Sequence, residues 1–542
     1  MKRSRSHVLR GNVVDVVGQR IFPGEVRIEE GVIVSITEVE GPVENHLLPG
    51  FIDAHVHVES SMLVPSEFAR LAVLHGTVGT VSDPHEIANV LGEEGVEFMI
   101  RNGKEVPFHF FFGAPSCVPA TVFETAGARL DAQAVGRLLA REEVRYLSEM
   151  MDFPGVLNGD GEVLEKIAHA QRLGKPVDGH APGLRGEQAG RYIAAGMSTD
   201  HECFTAEEAL DKLQRGMWVQ VREGSAAKNF DALVGLLHDH SDRMMFCSDD
   251  KHPDGLVENH INELCARAVA HGIDVFKVLR AACINPLDHY RLPVGRLRLG
   301  DAADLIIVKD LVSFKVARTF VRGELVAENG RSYIERVPVD PINRFVRSAI
   351  RLTDLRVPAT TEDLLTIEAL DGQLITRKRW IPPTVVDGAC AADVSKDLLK
   401  LAVVNRYTDA PVSVAWITGT GFKRGAIAGS VAHDSHNIVA IGTNDTDLCE
   451  AINTVIEHKG GIGLADGSHR RVLPLPVAGL MSDGDAWTVA DAYAALDSEA
   501  KAMGSTLAAP YMTLSFMALL VIPHLKLSDL GLFDGDAFRL LR

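Results

Sequence analysis

Between Phe51 and Pro293, short apolar runs alternate with stretches of helical periodicity, and this alternation constrains the fold more than any other feature of the chain. Strands that alternate with helices pair in parallel. We predict eight strands, at Phe51–Val58, Thr77–Ser82, His109–Gly113, Arg145–Glu149, Pro176–His180, Met197–His201, Trp218–Arg222 and Met244–Ser248. The predicted helices between them include Leu130–Glu143, Gly161–Leu173, Ala206–Gln214 and Asn229–His240. Eight such units in about 240 residues match a closed, TIM-like (β/α)8 barrel. A doubly wound open sheet is the alternative, but no GxGxxG motif opens its first helix.

The segments on either side of this region have a different pattern of apolar and polar residues. Residues 8–47 and 295–330 contain short alternating runs broken by glycines, a pattern typical of antiparallel strands. We predict that they pair into one small β-sandwich, formed by residues 1–48 and 294–345, which flanks a barrel of residues 49–293. Residues 346–542 contain glycine-rich turns between further strand-like and helical stretches, and we predict a C-terminal α/β domain there.

The charge and composition restrict the partners. The formal net charge is −18, and an acidic surface repels phosphate backbones, so we expect no nucleic-acid partner. No apolar run reaches the roughly 20 residues that span a bilayer. Seven cysteines without a CxxC pair fit reduced thiols in a cytoplasm. We therefore expect a cytoplasmic protein that acts on a small molecule, and a homo-oligomer because most soluble assemblies are of that kind.

The strongest local motif ends the first predicted strand, at Asp53-Ala54-His55-Val56-His57. Side chains alternate along a strand, so His55 and His57 point the same way, which is inward in a barrel. Two imidazoles side by side in a barrel mouth form half of a metal site. The alternative is a pair of hydrogen-bonded core histidines.

Four further candidate ligands fall at the ends of other predicted strands. Glu149 ends the fourth, His180 the fifth and His201 the sixth, and Asp249 follows the eighth. Active sites of such barrels lie at these carboxyl ends. Six ligands exceed the three or four that one metal needs, so we predict two metals with Glu149 as the bridge. The alternative for Glu149 is a salt-bridged carboxylate. Histidine and carboxylate ligands suit Mn²⁺, Fe²⁺ or Zn²⁺.

Asp249 is predicted to have a second role. Two metals about 3.5–4 Å apart can hold a hydroxide between them. Asp249 would bind one metal and accept the proton of the attacking hydroxide, because a carboxylate can return that proton to a leaving amine. Asp250 is the rival for this role, since we expect only one of two adjacent strand-end residues to point inward.

Longer motifs surround these residues. They are PGFIDAHVHVESSM (49–62), SDPHEIANV (82–90), DGHAPGL (178–184), TDHE (199–202), REGSAAKN (222–229), SDDKHP (248–253) and, in the C-terminal region, HDSHN (433–437). Together they resemble the bacterial adenine deaminases of the amidohydrolase superfamily. PGFIDxHxH alone is shared across that superfamily, whereas HVESSM, DPHEIANV and HDSHN are more particular. The resemblance covers nearly the whole chain.

The resemblance implies hydrolysis of adenine to hypoxanthine and ammonia, in purine salvage, at a centre of two Mn²⁺ or Fe²⁺ ions. The implied metal ligands are His55, His57, Glu149, His180, His201 and Asp249. Hydroxide would add to C6 of the purine, which requires a donor at a ring nitrogen and a proton shuttle to the amine. Asp83, His85 and Glu86 are candidates for these roles, although Asp83-Pro84 also reads as a helix start.

Contacts to the base itself are expected from two further segments. Arg222, Glu223 and Ser225, after the seventh strand, are candidates for the polar edge of the base, with a salt bridge as the alternative for Arg222. The resemblance suggests that the loop with His433 closes over the barrel mouth and touches substrate. A second metal site or a plain polar loop are the alternatives there.

Two other functions remain open at this point. One is a different amidohydrolase that acts on a cyclic amide or another amino-heterocycle, with the same barrel and metals. The other is a catalytically silent scaffold, which is disfavoured because such a chain should have lost ligands and this one retains all six.

Overall fold

The central region consists of parallel strands, as the alternation predicts. A computed structural model, which describes residues 5–541, arranges them in two parallel sheets. The five-stranded sheet contains Phe51–Val56, Thr77–Ser82, His109–Ala114, Val144–Met150 and Val177–Gly179, and the three-stranded sheet contains Thr199–Asp200, Trp218–Arg222 and Met244–Cys247. Two strands have the predicted bounds, and the others differ by at most two residues at either end. The prediction of an α/β fold is confirmed.

Helices cover these strands and explain their apolar character. Every residue of Phe51–Val56 and Thr77–Ser82 is buried, as expected for parallel strands covered on both faces. The longer helices of this region are Pro65–Ala72, Glu93–Lys104, Ala132–Leu139, Gly161–Arg172, Gly186–Ala195, Ala206–Gln214 and Ile261–Ala270. The predicted helix Asn229–His240 is instead broken into Phe230–Leu233 and Leu237–His240 by a 3₁₀ turn. That turn contains Gly235, and glycine is a poor helix former.

Backbone hydrogen bonds link the two parallel sheets at both edges. The amide of Ser198 donates to the carbonyl of Val177 (2.8 Å), beside the fifth and sixth strands. The amide of Asp249 donates to the carbonyl of His55 (2.9 Å), beside the eighth and first strands. The carboxyl ends of strands from both sheets therefore meet around one opening.

The segments before and after the parallel strands share one mixed sheet. Its order is Arg331–Ser332, Glu324–Glu328, Val316–Val321, Leu305–Val308, His46–Pro49, His7–Asp15, Arg20–Glu29 and Val32–Glu38. Leu305–Val308 pairs antiparallel with His46–Pro49, so the two distant segments meet as predicted. Their inward residues, among them Val26, Ile33 and Phe320, form a separate small core.

The C-terminal region is built on a second eight-stranded sheet. Its order is Thr376–Ile381, Leu364–Ala369, Ser413–Thr418, Leu399–Val404, Ile438–Gly442, Ala426–Gly429, Gly461–Asp466 and His469–Pro474. Helices Asp445–Glu457, Ala486–Ala502 and Pro510–Phe516 accompany it, and a three-stranded sheet of Leu525–Ser528, Gly531–Asp534 and Arg539–Leu540 follows. None of the helices within residues 5–541 is both long and apolar enough to cross a membrane.

Polar contacts fix the C-terminal region to the loop that follows the first parallel strand. The amide of Ser482 donates to the carbonyl of Met62 (2.8 Å), and the amide of Ala486 donates to the carboxylate of Glu67 (2.9 Å). Arg70 bridges Glu67 and Asp485. The C-terminal region therefore lies against the carboxyl ends of the strands.

Candidate metal centre

The six predicted ligands come together at these strand ends. His55 lies in the first strand, Glu149 in the fourth, and His57, His180 and His201 each directly follow a strand. Asp249 comes two residues after the eighth strand ends at Cys247. The six side chains are His55, His57, Glu149, His180, His201 and Asp249, each at most 5% exposed.

Glu149 lies at the centre of the cluster. Its Oε1 is 3.2 Å from Nε2 of His57, while its Oε2 is 2.7 Å from Nδ1 of His180 and 3.2 Å from Nε2 of His201. One carboxylate thus faces two groups of histidines with its two oxygens. This is the arrangement that a bridging ligand requires.

Asp249 completes the group on the side of the first strand. Its Oδ1 is 3.1 Å from Nε2 of His57 and 3.6 Å from Nε2 of His55, and those two nitrogens are 3.2 Å apart. Arg222 donates from Nη1 to the other oxygen, Oδ2, at 2.7 Å. Asp249 therefore presents one oxygen to the histidines, and Arg222 holds the other.

The expectation that only one of Asp249 and Asp250 points inward is wrong, because both line the same cavity. The strand has already ended, and Asp249 adopts a left-handed backbone (φ 54°), so strand alternation no longer applies. Asp250 contacts Ser60, whose hydroxyl donates to Oδ1 at 2.5 Å. Only Asp249 reaches His55 and His57.

The charges in the cluster stabilise one another. Burial would lower the pKa of His57, but its contacts with Asp249 and Glu149 raise that pKa well above 6.5. Burial would raise the pKa of Glu149, but His180, His201 and His57 hold it well below 4.5. The two carboxylates are therefore charged, and the cluster requires compensating positive charge, as protons or as bound cations.

The donor set fits divalent metal. Nδ1 of His57 lies 3.2 Å from the carbonyl oxygen of Asp83, and a bond there fixes the ring with Nε2 toward Glu149 and Asp249, as metal-binding histidines are commonly held. The other ring nitrogens of His55, His180 and His201 have no hydrogen-bond partner within residues 5–541. His55, His57 and Asp249, and likewise His55, Glu149 and His201, bring one donor atom each within 4.8 Å of one another.

A small cavity lies over the cluster. Its volume is about 30 Å³, room for about two water molecules. It is lined by His57, His85, Glu86, Glu149, Met151, His180, His201, Glu202, Arg222, Asp249, Asp250, Leu374, His433, Asp434, Phe516 and Leu519. The C-terminal region contributes one part of this lining, namely Leu374, His433, Asp434, Phe516 and Leu519. We call its apolar part, Leu374, Phe516 and Leu519, the cap.

The loop after the second strand forms one polar side of this cavity. Nδ1 of His85 is 3.2 Å from Oδ2 of Asp83, and Nε2 is 3.4 Å from Oε1 of Glu86 and 3.6 Å from Oδ1 of Asp434. The amide of His85 also donates to Asp83 (3.1 Å), so Asp83 both shapes the turn and contacts the ring. Of the two predicted residues, His85 lines the cavity, whereas Asp83 lies against the ring of His85 and does not line the cavity itself.

Glu86 joins this loop to the C-terminal region. Nδ1 of His433 is 2.5 Å from its Oε1, and Nε2 of His436 contacts its Oε2. Burial would raise the pKa of Glu86, but His433, His436 and His85 lower it well below 4.5. The loop that contains His433 and His436 therefore contacts Glu86, which follows the second parallel strand.

The three residues after the seventh strand that were predicted to contact the base do not lie together at the site. Arg222 lines the cavity, but its guanidinium is paired with Glu202 and Asp249. Glu223 pairs instead with Arg267 (2.9 Å), and the two side chains of Glu223 and Ser225 line a separate surface pocket. The chain turns back directly after the strand, since the amide of Asn229 donates to the carbonyl of Arg222. This turn carries Glu223 and Ser225 away from the cluster.

Several residues that line the site have no role predicted from the sequence, among them Glu202 and the three residues of the cap. Oε1 of Glu202 is 3.4 Å from Nε2 of His201 and 3.8 Å from Nδ1 of His180. Its position directly after His201 in TDHE was an available signal. The three residues of the cap had no comparable signal, because apolar residues far along the chain carry no mark of their destination, whereas Asp434 and His436 belong to the HDSHN motif that singled out this loop.

Comparisons with known proteins cover nearly the whole chain. Residues 46–326 match the model of the amidohydrolase family, and residues 373–539 match that of the adenine deaminase C-terminal domain. An adenine deaminase of Salinibacter ruber is 56% identical over 535 residues, 98% of each chain. One of Methanosarcina acetivorans is 50% identical over 539 residues, 97% of this chain and 98% of the relative. Among solved structures, an N-acetyl-D-glucosamine-6-phosphate deacetylase of Mycobacterium smegmatis is 19% identical, covering 59% of this chain and 99% of its own, with a TM-score of 0.45.

Proposed function

Because the chain belongs to the adenine deaminase family of amidohydrolases, we propose that it hydrolyses adenine to hypoxanthine and ammonia. The observation that carries the proposal is identity of 56% to an adenine deaminase over 98% of both chains. The convergence of six strand-end histidines and carboxylates supports the same reaction, since this donor set suits hydrolysis assisted by metal.

We propose two divalent ions at the cluster, Mn²⁺ or Fe²⁺, with Zn²⁺ also compatible with the ligands. His55, His57 and Asp249 would hold one, His180 and His201 the other, and Glu149 would bridge both. The metals would supply an activated water at neutral pH. The 3.1–3.6 Å separations around Asp249 and the central position of Glu149 support this assignment.

Asp249 is the proposed proton acceptor. Its Oδ1 faces the cluster while Arg222 holds Oδ2, so the carboxylate is fixed in one orientation and kept ionised. An ionised carboxylate beside the reacting water accepts its proton and passes it to the departing amine. Since Arg222 is engaged by Asp249 and Glu202, we assign it to positioning Asp249 rather than to contact with the base.

His85, Glu86 and His433 are the proposed contacts of the purine ring. They lie on the cavity wall beside the cluster, and Asp83 orients the ring of His85. An imidazole in that position can hold a proton at a ring nitrogen, where negative charge develops when C6 is attacked. The carboxylate of Glu86, which His433 and His436 contact, can accept a hydrogen bond from a purine N–H or from the amino group of the base.

The finer architecture is also proposed. We propose that the two parallel sheets close into one eight-stranded barrel of residues 49–293, which the hydrogen bonds at both pairs of edges support. Residues 1–48 and 294–345 would form the β-sandwich. The bridge between Val32 and Ala302 supports closure of that sheet on itself. Residues 346–542 would be the C-terminal α/β domain.

The remaining proposals concern the setting of the enzyme. The substrate is a small molecule, and the net charge of −18 supports the proposal that no nucleic-acid polymer binds. A cytoplasmic location is supported by the seven cysteines, all free and buried in the described part of the chain. We also propose a homo-oligomer, on the general frequency of such assemblies.

The test is ammonia release from adenine by the Mn²⁺-loaded protein, with adenosine, guanine and a hydantoin in parallel. We expect turnover of adenine that a chelator abolishes and Mn²⁺ restores. Turnover of the hydantoin without adenine would identify a different amidohydrolase. Metal binding with no turnover of adenine would contradict the proposed substrate.

A further inference from the structure

A buried amine lies behind two of the proposed metal ligands. Lys212, on the helix that follows the sixth parallel strand, is 1% exposed. Its Nζ donates to the carboxylate of Asp200 (2.5 Å) and to the carbonyl oxygen of Ala181 (2.7 Å). Asp200 directly precedes His201, and Ala181 directly follows His180. One ammonium group therefore joins the two segments that carry these histidines.

Asp200 extends this connection to the backbone. Its Oδ1 accepts hydrogen bonds from the amides of Ala181 (3.1 Å) and Glu202 (3.3 Å), while its Oδ2 contacts Lys212. The carboxylate thus holds the segment after the fifth strand through one amide and the segment after the sixth strand through the other. Both of its oxygens are engaged, and the side chain is fully buried.

The backbone itself does not join these two segments at the ligands. The hydrogen bond from the amide of Ser198 to the carbonyl of Val177 lies near the start of the fifth and sixth strands. The two strands belong to different sheets, and within residues 5–541 no strand pairing continues this bond toward the ligands. The contacts of Lys212 and Asp200 therefore take the place of a strand ladder at this point.

The rings of His180 and His201 depend on this support because their far nitrogens are not held. Nε2 of His180 and Nδ1 of His201 have no hydrogen-bond partner within residues 5–541. The ring of His57, in contrast, lies against the carbonyl oxygen of Asp83, and outer partners of this kind orient metal-binding histidines. The backbone therefore determines where Nδ1 of His180 and Nε2 of His201 lie, at 2.7 and 3.2 Å from Glu149.

Other hydrogen bonds hold each of the two histidine segments separately. The amide of His180 donates to the hydroxyl of Tyr192 (3.0 Å), and the carbonyl oxygen of His201 accepts from the side chain of Asn229 (2.9 Å). Each of these bonds fixes one histidine to a different element. Lys212 differs from them because its single amine contacts both segments.

The charge of the amine is compensated without any metal ligand. Glu208, on the same helix, lies with Oε1 at 2.9 Å from Nζ of Lys212 and also accepts from the amide of Gly183 (2.8 Å). The three charged groups, Lys212, Asp200 and Glu208, are each at most 2% exposed. Buried ion pairs are often no more stabilising than hydrocarbon of similar volume. The stability of the fold alone therefore gives no reason for three buried charges at this place.

We propose that Lys212 is a positioning residue that sets the spacing of His180 and His201. These two histidines and Glu149 would then hold one ion, which we call the second metal. The inference rests on the proposed function, because it takes the cluster to hold two metals. It gives Lys212 no contact with metal or substrate. Its effect is confined to the second metal, since the other ligands of the first lie on the first strand and after the eighth.

The test is the binding of Mn²⁺ to Lys212→Met. Calorimetric titration of the metal-free protein measures both binding steps. We expect the affinity for the second metal to fall about 10–100-fold, the usual range for loss of a group that orients ligands, while the affinity for the first stays within about twofold. Electron paramagnetic resonance should show isolated Mn²⁺ ions in the variant and a spin-coupled pair in wild type.

Two controls separate positioning from the loss of a buried charge. Lys400→Met removes another amine that is 1% exposed and paired with a carboxylate, that of Asp445, in the C-terminal region. Glu208→Gln neutralises a charge beside Lys212 but leaves the bonds of the amine to both histidine segments. Both variants should bind two ions as a coupled pair. If Lys212→Met does not fold, Asp200→Asn, which keeps the side-chain size but removes the charged partner of Lys212, carries the same measurement.

The outcomes are distinct. A coupled pair of ions in Lys212→Met would overturn the inference, and so would an equal loss of metal in the two controls. Equal weakening of both binding steps in Lys212→Met would indicate general loosening and would also overturn it. Wild type that binds only one ion would refute the proposed metal centre. Wild type that binds two ions but releases no ammonia from adenine would refute the proposed substrate and leave the role of Lys212 standing.

Discussion

The molecule contains two buried clusters of histidines and carboxylates a short distance apart, and they differ in how the carboxylate is held. In the first cluster, which we call the floor, the carboxylate oxygens of Glu149 lie 2.7–3.2 Å from ring nitrogens of His57, His180 and His201. Asp249 also belongs to this cluster. In the second cluster, which we call the mouth, His433 and His436 each contact one carboxylate oxygen of Glu86. The residues of the floor lie at or near the ends of parallel strands, whereas the mouth joins the segment after the second parallel strand to the C-terminal region. The same residue types therefore form the proposed metal site in one place and a contact with the C-terminal region in the other.

The largest expected effect is at the floor. Asp249→Asn keeps the size of the side chain but removes the proton acceptor, so we expect kcat to fall about 1,000-fold, within the usual range for general acid–base groups. Steady-state ammonia release and circular dichroism measure activity and fold. Asp250→Asn is the matched variant and should lose far less. Near-normal turnover in Asp249→Asn would refute the proposed role.

The metal content of variants should distinguish the two clusters, because only the floor is proposed to bind metal. Glu149→Gln removes the proposed bridge, and we expect the bound metal to fall from two ions per chain to one or fewer. Glu86→Gln makes the same chemical change at the mouth and should retain wild-type metal content. Elemental analysis of the purified variants measures both. Equal loss in the two variants would mean that the mouth also holds metal, and the contrast between the clusters would fail.

A smaller effect is expected at the contact between domains. His433→Asn removes one of the two imidazole rings that contact the carboxylate of Glu86. A hydrogen bond to a charged group contributes about 1.5–3 kcal/mol, so we expect kcat/KM for adenine to fall about 10–100-fold. Metal content should not change. His469→Asn is the control, because this exposed histidine of the same region pairs with Glu499, away from the cavity. Loss of metal in His433→Asn would contradict the separation of roles.

The last expected effect is on stability rather than on catalysis, and it concerns the buried amine of Lys526, which donates to the carbonyl oxygens of Leu374 and Phe516 in the cap. Burial lowers the pKa of Lys526 from 10.5 to about 7. Below pH 7 the amine is charged in both states and the burial penalty is complete. Between pH 7 and 10.5 only the unfolded chain stays charged, so stability rises with pH. Relative to Lys526→Met, the free energy of unfolding of wild type should increase by about 1.4 kcal/mol per pH unit from 7 to 9. Urea unfolding at both pH values measures it, and a pH-independent difference would contradict it.

Much of the region of parallel strands could be predicted because its sequence signals are local. The strands Thr77–Ser82 and Trp218–Arg222 have their predicted bounds, since each is a buried run interrupted by polar or glycine residues. Once strand ends are located, parallel topology brings them to one rim, so His180 and His201 could be expected to meet. Local departures of the backbone from regular strand geometry could not be predicted from the sequence. The left-handed backbone at Asp249 and the return of the chain after Arg222 depend on contacts with other segments.

The sequence by itself determined the α/β alternation, the strand ends and the residue types of the floor, because periodicity and short motifs act over a few residues. Only the tertiary structure decided that Glu202 pairs with Arg222 and that His436 reaches Glu86. It alone placed Leu374, Phe516 and Leu519 over the site. Those contacts join segments up to several hundred residues apart, and an apolar side chain is buried equally well in any core. Its place in the lining of the cavity follows from how the C-terminal region packs against the parallel strands.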